Sequence, residues 1–480
     1  MEVLQRTANR GSISTGYDID NSLKLNSASS EYLYITRDAS GSDWNRLLWT
    51  ASMWVKHIPT ESSATSPKER LFGAADANSD FDIRFRGQPL GFRNNSDVDG
   101  VGELRTNALY RDYSAWMHIV AVWDTANGTA GNRMRLYVNG EEVTSFSTDT
   151  QPSQNEKSIW GKKNDGTDGD VVHTIGAYYN SSSGFAQGLN GYLAEIHWVE
   201  GAALAPTEFG EVDSASGIWK PKAYTGSYGT NGFYLNFDDS SALGADSSGN
   251  SNNWSLNNIA AADQATDTPT NSFATLNPLH RNSATASNNP ILTEGATVHT
   301  STLADYWQTS IATIGVTSGK WYFEAKIQDS NTTLVAVGMG DEGDIQTWGV
   351  GNGYLGAGKS LSYGSGSSAY THSNIIGIAV DVDNGKVYWA KDNTYINSGN
   401  PAGNANGTAI PTGGVSNGTY FLGVSGYKLN GHAVLQVNFG GYHANSLSSA
   451  ATDANGYGTF EYAPPTGYYA LCTKNLAEYG

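Results

Sequence analysis

A single cysteine, Cys472, stands in 480 residues. No intrachain disulfide can form, so a small scaffold stapled by disulfides is excluded. The thiol sits in YYALCT, which reads as a buried final strand, and its expected role is packing. Charge is sparse: 15% of residues are Asp, Glu, Lys or Arg, and acids outnumber Lys plus Arg by 46 to 28. A formal net charge of −18 disfavours nonspecific nucleic-acid binding. No Lys/Arg run offers a phosphate-tracking groove. No stretch reaches the roughly 18 apolar residues of a membrane-crossing helix, and MEVLQRTANRG lacks the apolar centre of a secretory leader. Neither membrane insertion nor Sec export is expected. Walker, HExxH and CxxC motifs are missing. GVGNGYLGAG has the glycines of a phosphate loop, but GAGKS is only a truncated form of that motif.

What is abundant is small, polar or aromatic. The chain has 56 Gly, 27 Tyr, 14 Phe and 13 Trp. The glycines follow no Gly-x-y period, which excludes collagen. That mixture fits many short strands joined by many turns, and the length allows two or three domains with substantial cores.

Alternation places the strands. In WMHIVAVWD, Met117, Ile119, Ala121 and Trp123 face one way and Trp116, His118, Val120 and Val122 the other. Apolar residues on both faces mark a central strand or one covered on both sides. RMRLYVNG follows, with Met134, Leu136 and Val138 inward and Asn139-Gly140 supplying a tight hairpin turn. GYLAEIHWVEGAAL alternates Tyr192, Ala194, Ile196 and Trp198 against Leu193, Glu195, His197 and Val199. Further on, SGKWYFEAKI puts Trp321, Phe323, Ala325 and Ile327 on one face. IIGIAVDVDNGKVYWAKDN gives two more strands, with a second hairpin-type turn at Asn384-Gly385.

Taken in order, SMWVK, WMHIVAVWD, RLYVNGEEV, IGAYY and GYLAEIHWVEGAAL resemble the concanavalin A-like lectin/glucanase superfamily in its laminin-G-like or pentraxin-like form. SGKWYFEAKI, VGMGD, IIGIAVDVDNGKVYWAKDN, YFLGVSG and VLQVNFG resemble the SPRY (B30.2-like) domain. The expected fold is therefore all-β: two antiparallel β-sandwich (jelly-roll-like) domains joined by an irregular, partly packed connector. The expected boundaries are an arm at 1–19, a lectin-like sandwich at 20–210, the connector at 211–290 and a SPRY-like sandwich at 291–480. GFYLNF is the connector's one strand. Its isolated aromatics, Trp219, Tyr224, Tyr228 and Trp254, argue for packing against a sandwich rather than a solvated linker. DDSSALGADSSGNSNNW invites a calcium reading but lacks EF-hand spacing, so a solvated turn region is expected there.

Catalytic residues are not found. A glucanase of this superfamily carries E-x-D-x-x-E on one strand. The nearest phrase, Glu195 to Glu200, has no central Asp and an odd offset that puts the two acids on opposite faces of a regular strand. Aromatic rings that could stack on sugars are Trp44, Trp123, Tyr178, Tyr179 and Trp348, each also a candidate for packing. Asp124, Asp381 and Asp383 are the candidate metal carboxylates. No cofactor is required, with Ca2+ as the alternative. His57, His118, His173 and His197 lack metal-ligand spacing.

The pairing of modules, and the tail FEYAPPTGYYALCTKNL, resemble SPRY-containing proteins of tailed phages. That resemblance implies a non-enzymatic virion structural protein, a capsid or tail appendage assembled in the host cytoplasm. Its implied partners are other virion proteins and host-surface glycans. A homo-oligomer is expected, with a trimer as one arrangement, though no heptads fix the number. A free carbohydrate-binding lectin, a purely architectural protein and a glycan hydrolase are the alternatives.

Overall fold

The computed structural model describes residues 16–37, 42–58, 68–96, 100–164, 171–180, 184–214, 216–280, 289–303, 307–328, 334–340, 372–410, 418–427, 433–444 and 446–480. Two compact units contain them, Thr15–Thr270 and a second that includes Asn271–Gly480. Both are β-sandwiches of antiparallel strands, with one short parallel pairing, Lys320–Ile327 with Tyr469–Ala470, in the second. Among the described residues there is one α-helix, Thr473–Tyr479. Cys472 immediately precedes it and is buried, so the expected final strand shortens to Tyr469–Ala470. Burial pushes the thiol up to about 12, consistent with an inert packing group.

The first unit stacks two sheets. One runs in the order Glu141–Glu142, Met134–Val138, Met117–Asp124, Leu48–His57, Gly191–Glu200, Ser22–Leu25, Gln264–Ala265. The other runs Phe146–Thr150, Gly100–Thr106, Leu90–Ser96, Asp80–Arg86, Lys68–Ala75, Val171–Ile175, Tyr32–Arg37, Ser255–Asn257. Between them lie Met53, Ile119, Trp123 and Trp198 from the first sheet and Phe72, Phe81, Ile83 and Phe92 from the second. Such a core supplies the main driving force, since each fully buried large apolar side chain contributes about 1.5–3 kcal/mol. Met117, Ile119, Ala121 and Trp123 share this core, as their alternation predicts, while Val120 and Val122 pack on the opposite face. Asn139 and Gly140 both have positive φ, 49° and 84°, the geometry of a two-residue hairpin turn.

One strand departs from its expected alternation. Leu193 and Ile196 both point into the core although they are three positions apart, an odd offset. Pairing with Leu48–His57 shifts register between Ala194 and His197, and Glu195 sits in the left-handed region at φ 50°. One extra residue at this bulge reverses the strand's parity. Tyr192, Ala194, Ile196 and Trp198 therefore do not share one face.

Residues 211–270 add strands to the first unit. Phe233–Leu235 pairs with Gly191–Glu200, Ser255–Asn257 with Tyr32–Arg37, and Gln264–Ala265 with Ser22–Leu25. Trp254 enters the core. The acidic loop at 238–254 is ordered around Asp246. That carboxylate accepts the N–H groups of Tyr234, Ser248 and Asn252 and the Ser248 hydroxyl, all at 2.8–2.9 Å. With those lone pairs engaged, it is a loop clamp rather than a cation ligand.

The second unit pairs a large sheet with a three-stranded one. Lys320–Ile327 lies between Ala433–Asn438 and Ile375–Asp381 in the large sheet. Trp307–Val316, Tyr420–Tyr427 and Leu334–Gly340 make the smaller. Trp321, Phe323, Ala325 and Ile327 all enter the core, as predicted. The turn after Ile375–Asp381 has only Gly385 at positive φ, 61°, and is longer than the two-residue turn at Asn139-Gly140.

Candidate functional site

The first sandwich has two outer faces, and their chemistry differs. The sheet containing Gly191–Glu200 is roofed by the segment that follows it. Phe209 packs on Val120, Val122 and Val199, with Tyr224 and Tyr228 beside them. Trp219 lies so close to Gly140 that a Cβ there would meet its ring at 2.5 Å. Its indole N–H donates to His118 Nδ1 at 3.1 Å. Because that nitrogen accepts, the ring proton of neutral His118 is on Nε2, directed at Ser52 Oγ 2.8 Å away. Burial holds His118 down to about 3.

Beneath the same roof, Glu195 accepts the Tyr17 and Tyr234 hydroxyls, both at 2.7 Å. His197 stacks on the Tyr234 ring, with centroids 4.4 Å apart, and its Nδ1 meets the Tyr228 hydroxyl at 2.7 Å. Burial and the Glu195 charge raise Tyr17, Tyr228 and Tyr234 above the ordinary phenol range, so all three stay protonated. Glu200 is engaged separately: it accepts the Asn45 N–H at 2.7 Å and the Asn231 side-chain and backbone N–H groups. Glu195 is 4% exposed. Glycoside hydrolysis needs two carboxylates flanking one bond, about 5–5.5 Å apart for retention. Neither acid presents itself to such a bond.

The opposite face carries charge and a cleft. Outward residues of its strands are Arg70, Asp82, Arg84, Arg93, Glu103 and Arg105, set by the pairings Arg70↔Arg84, Asp82↔Arg93, Arg93↔Glu103 and Gly91↔Arg105. Asp82, fully buried, pairs with Arg70, with Arg84 at 2.7 Å and with Arg93 at 3.0 Å. Arg93 also pairs with Asp80. Burial lowers Arg84 to about 10, with Arg70 and Arg93 adding to the effect and Asp82 opposing it.

At the edge of this face opens a cleft of about 240 Å³. Its walls come from the turn at Ser27–Tyr32, from Lys68 and from residues 185–190. The hairpin of Tyr178–Asn180 and Gly184–Ala186 delivers Phe185, whose ring stacks on Tyr32 at 4.2 Å and 20°. Gly188 runs against Ser27, where any Cβ would come within 2.8 Å of the serine's own, so only glycine fits. Two lining residues, Ser30 and Gln187, hold positive φ of 55° and 54°, conformations that cost energy outside glycine and cluster at functional sites. Gln187 is pinned by Arg70, which donates to its side chain at 3.1 Å and lies over the Tyr178 ring at 4.6 Å. Asn190 accepts from the Ser27 N–H and hydroxyl and donates to Glu69. Glu31 is held by Lys24 at 2.9 Å and by the Asn26 N–H at 2.8 Å.

Few of the residues expected from sequence belong here. Tyr179 does stand beside the cleft, opposite Phe185 in the hairpin with ring centroids 5.1 Å apart. Tyr178 is the platform for Arg70. Trp44 and Trp123 are corrections. They are 6% and 0% exposed, and both lie in the core, so neither offers a ring to a ligand. Trp348 falls outside the described residues. Asp381 is 0% exposed, pairs with Lys320 at 3.0 Å and accepts both N–H groups of Asn384, which closes its turn. Asp383 accepts the Gly319 N–H, and Asp124 accepts from Asn127. These three carboxylates serve turns. Among the described residues no group of three or more His, Cys, Asp or Glu side chains is placed to hold a metal. No helix there is long and apolar enough to cross a membrane. Phe185, Tyr32, Lys68, Gln187 and Asn190 were not foreseen. Only the tyrosine pair at 178–179, just ahead of Gly184-Phe185, pointed to this part of the chain.

Residues 27–206 match the family profile Laminin_G_3, of the Concanavalin A-like lectin/glucanases superfamily. Over these residues the first sandwich is similar to concanavalin A-like domains. Its cleft lies within the matched span. A native heptameric SAP-like pentraxin from Limulus polyphemus is similar at 15% identity, over 40% of this chain and 80% of that one, with a TM-score of 0.27. The CBM40 of a Ruminococcus gnavus IT-sialidase is similar at 14% identity over 39% and 93%, with a TM-score of 0.26. The SPRY domain of human HERC1 is similar at 14% identity over 29% and 87%, with a TM-score of 0.21. No curated protein matches the chain.

Proposed function

We propose that this protein binds glycans, without turning them over, in the cleft beside Phe185. The observation that carries this reading is the pairing of a ring with convergent polar groups. Phe185 is half-buried and backed by Tyr32, which fixes its plane, and Lys68, Gln187 and Asn190 stand around it. A sugar offers an apolar C–H face for the ring and hydroxyls for the polar rim, the usual division of labour in small-ligand sites. The similarity of residues 27–206 to the concanavalin A-like lectin/glucanase profile supports the same reading. The absence of turnover rests on Glu195 and Glu200 being committed to Tyr17, Tyr234, Asn45 and Asn231.

The test is a glycan array on the full chain, with Phe185→Ala in parallel and with EDTA. Wild type binds at least one glycan family, Phe185→Ala loses that binding by about tenfold or more, and chelation changes nothing. Undiminished binding by Phe185→Ala would remove the cleft as the site.

The setting we propose is a phage virion, with the protein as a capsid or tail appendage. The support is the ordered pairing of lectin-like and SPRY-like sequences. A homo-oligomer follows from the same reading, because weak sites gain strength by repetition. Mass spectrometry of purified particles and sedimentation of the free protein test it; a monomer absent from particles would overturn it.

A further inference from the structure

The cleft's ligand class can be narrowed from charge placement, an argument that rests on the glycan reading above. The chain as a whole is strongly acidic. Yet the outer face next to the cleft reverses that sign. Strands Lys68–Ala75, Asp80–Arg86, Leu90–Ser96 and Gly100–Thr106 direct outward six cations, Lys68, Arg70, Arg84, Arg86, Arg93 and Arg105, against three anions, Asp80, Asp82 and Glu103.

Two of these cations stand directly opposite two others. Lys68 faces Arg86 and Arg70 faces Arg84 across the same strand pair. Like charges opposed in this way are destabilising, so each pair needs an answer. Arg70 and Arg84 have one in Asp82. Among the described residues Lys68 and Arg86 form no ion pair. Lys68 is exposed and lines the cleft with Phe185. Burial and four neighbouring arginines, Arg84, Arg70, Arg86 and Arg93, lower its pKa, so the site's field already favours an incoming negative charge. Glu31, the one carboxylate in the cleft wall, is occupied by Lys24 and the Asn26 N–H.

We propose that the cleft selects acidic glycans, with Lys68 and Arg86 receiving a sugar carboxylate or sulfate while Phe185 takes the adjoining ring face. Lys68 and Arg86 are then specificity-determining residues, and the missing counter-charge is the ligand's.

Matched probes test this. Titrate the full chain with oligogalacturonate and with its methyl ester, and with a sulfated galactan oligosaccharide and its desulfated form. At low salt the acidic member of at least one pair binds about tenfold tighter, and the preference shrinks as ionic strength rises past the Debye regime. Lys68→Gln and Arg86→Gln each erase the preference, Lys68→Arg retains it, and Phe185→Ala weakens both members equally. Near-UV circular dichroism confirms that each variant is folded. If both members bind alike and Lys68→Gln changes nothing while Phe185→Ala still does, the charge proposal fails and the glycan reading stands. If neither member of either pair binds but neutral glycans on the array do, the charge proposal again fails alone. If no glycan binds at all, both fall.

Discussion

The two outer faces of the first sandwich share one core and one chain, yet they handle polar groups in opposite ways. Under the roof of residues 206–234, every acidic or imidazole group named has a partner of fixed geometry. Glu195 has two tyrosine hydroxyls, His118 an indole and a serine. On the other face a single buried carboxylate, Asp82, serves three arginines, and two further cations, Lys68 and Arg86, form no ion pair among the described residues. A satisfied network is the mark of a sealed surface, because an unpaired buried polar group costs about 1–3 kcal/mol. An unanswered pair beside a cleft is tolerated where solvent or a ligand reaches it. The contrast supports placing the proposed binding on the second face even though the first holds the more conspicuous acid and histidine.

The largest effect expected from breaking this contrast is at Asp82. Asp82→Asn leaves Arg70, Arg84 and Arg93 crowded with no common counter-charge. Removing one partner from a buried ion network costs about 3–5 kcal/mol, read as a lowered midpoint in urea. A loss below about 1 kcal/mol would mean that the arginines are already solvated.

Acid comes next, and it separates the two units. In the first, burial holds His118 and His173 at about 3. The folded form refuses protons that the unfolded chain accepts below about 6.5. Stability is therefore full above that pH and falls as pH drops from 6.5 towards 3, by about 1.4 kcal/mol per unit for each histidine. In the second unit His299, at about 3, and His280, at about 4, act in the same direction. Glu324 opposes them. Burial raises it to about 7, so its folded form keeps a proton that the unfolded chain releases, and stability rises as pH falls from 7 to about 4.5. Hydrogen exchange at pH 7.5 and 5.5 should show the first unit losing more protection than the second. The reverse order would put the histidine assignments in error.

How much of this was readable beforehand depended on the kind of signal. Met117 to Trp123 and Trp321 to Ile327 advertised their strands because side-chain period and burial coincide there. The bulge at Glu195 was silent, since Gly191–Glu200 is apolar on both faces and a parity change leaves its composition intact. The burial of Trp123 was hidden for the same reason: a strand covered on both sides does not reveal which aromatic is exposed, while Trp44 precedes Leu48–His57 outside any strand, where no alternation marks its direction. The roof over the first sheet was legible in outline, from aromatics with no strand of their own, but not its target. The cleft gave almost nothing away. Tyr32, Lys68, Phe185 and Asn190 lie on separate segments, brought together by the pairing of Tyr178–Asn180 with Gly184–Ala186 and by the close approach of Gly188 to Ser27.

A middling effect tests the roof itself. Trp219→Ala vacates the ring over Gly140 and strips His118 Nδ1 of its donor. Truncating a half-buried indole here should cost about 2–3 kcal/mol, measured by urea unfolding, while glycan affinity at the cleft is unchanged. Affinity lost in step with stability would mean that the two faces are not independent.

The smallest effect carries the sharpest distinction. Glu195→Gln keeps an acceptor for the Tyr234 hydroxyl and turns an N–H towards Tyr17, whose oxygen can accept in place of donating. The network is rearranged rather than orphaned, so the cost is about 1 kcal/mol, that of one exchanged hydrogen bond. Backbone strain at φ 50° is common to both side chains and drops out of the difference. A structural acid therefore predicts a slight fall in unfolding midpoint and no other change. A catalytic acid predicts the opposite balance: normal stability, and loss of reducing-end release from whatever polysaccharide the wild type would have to cleave. Measuring both on the same pair of proteins decides whether the sealed face is only a seal.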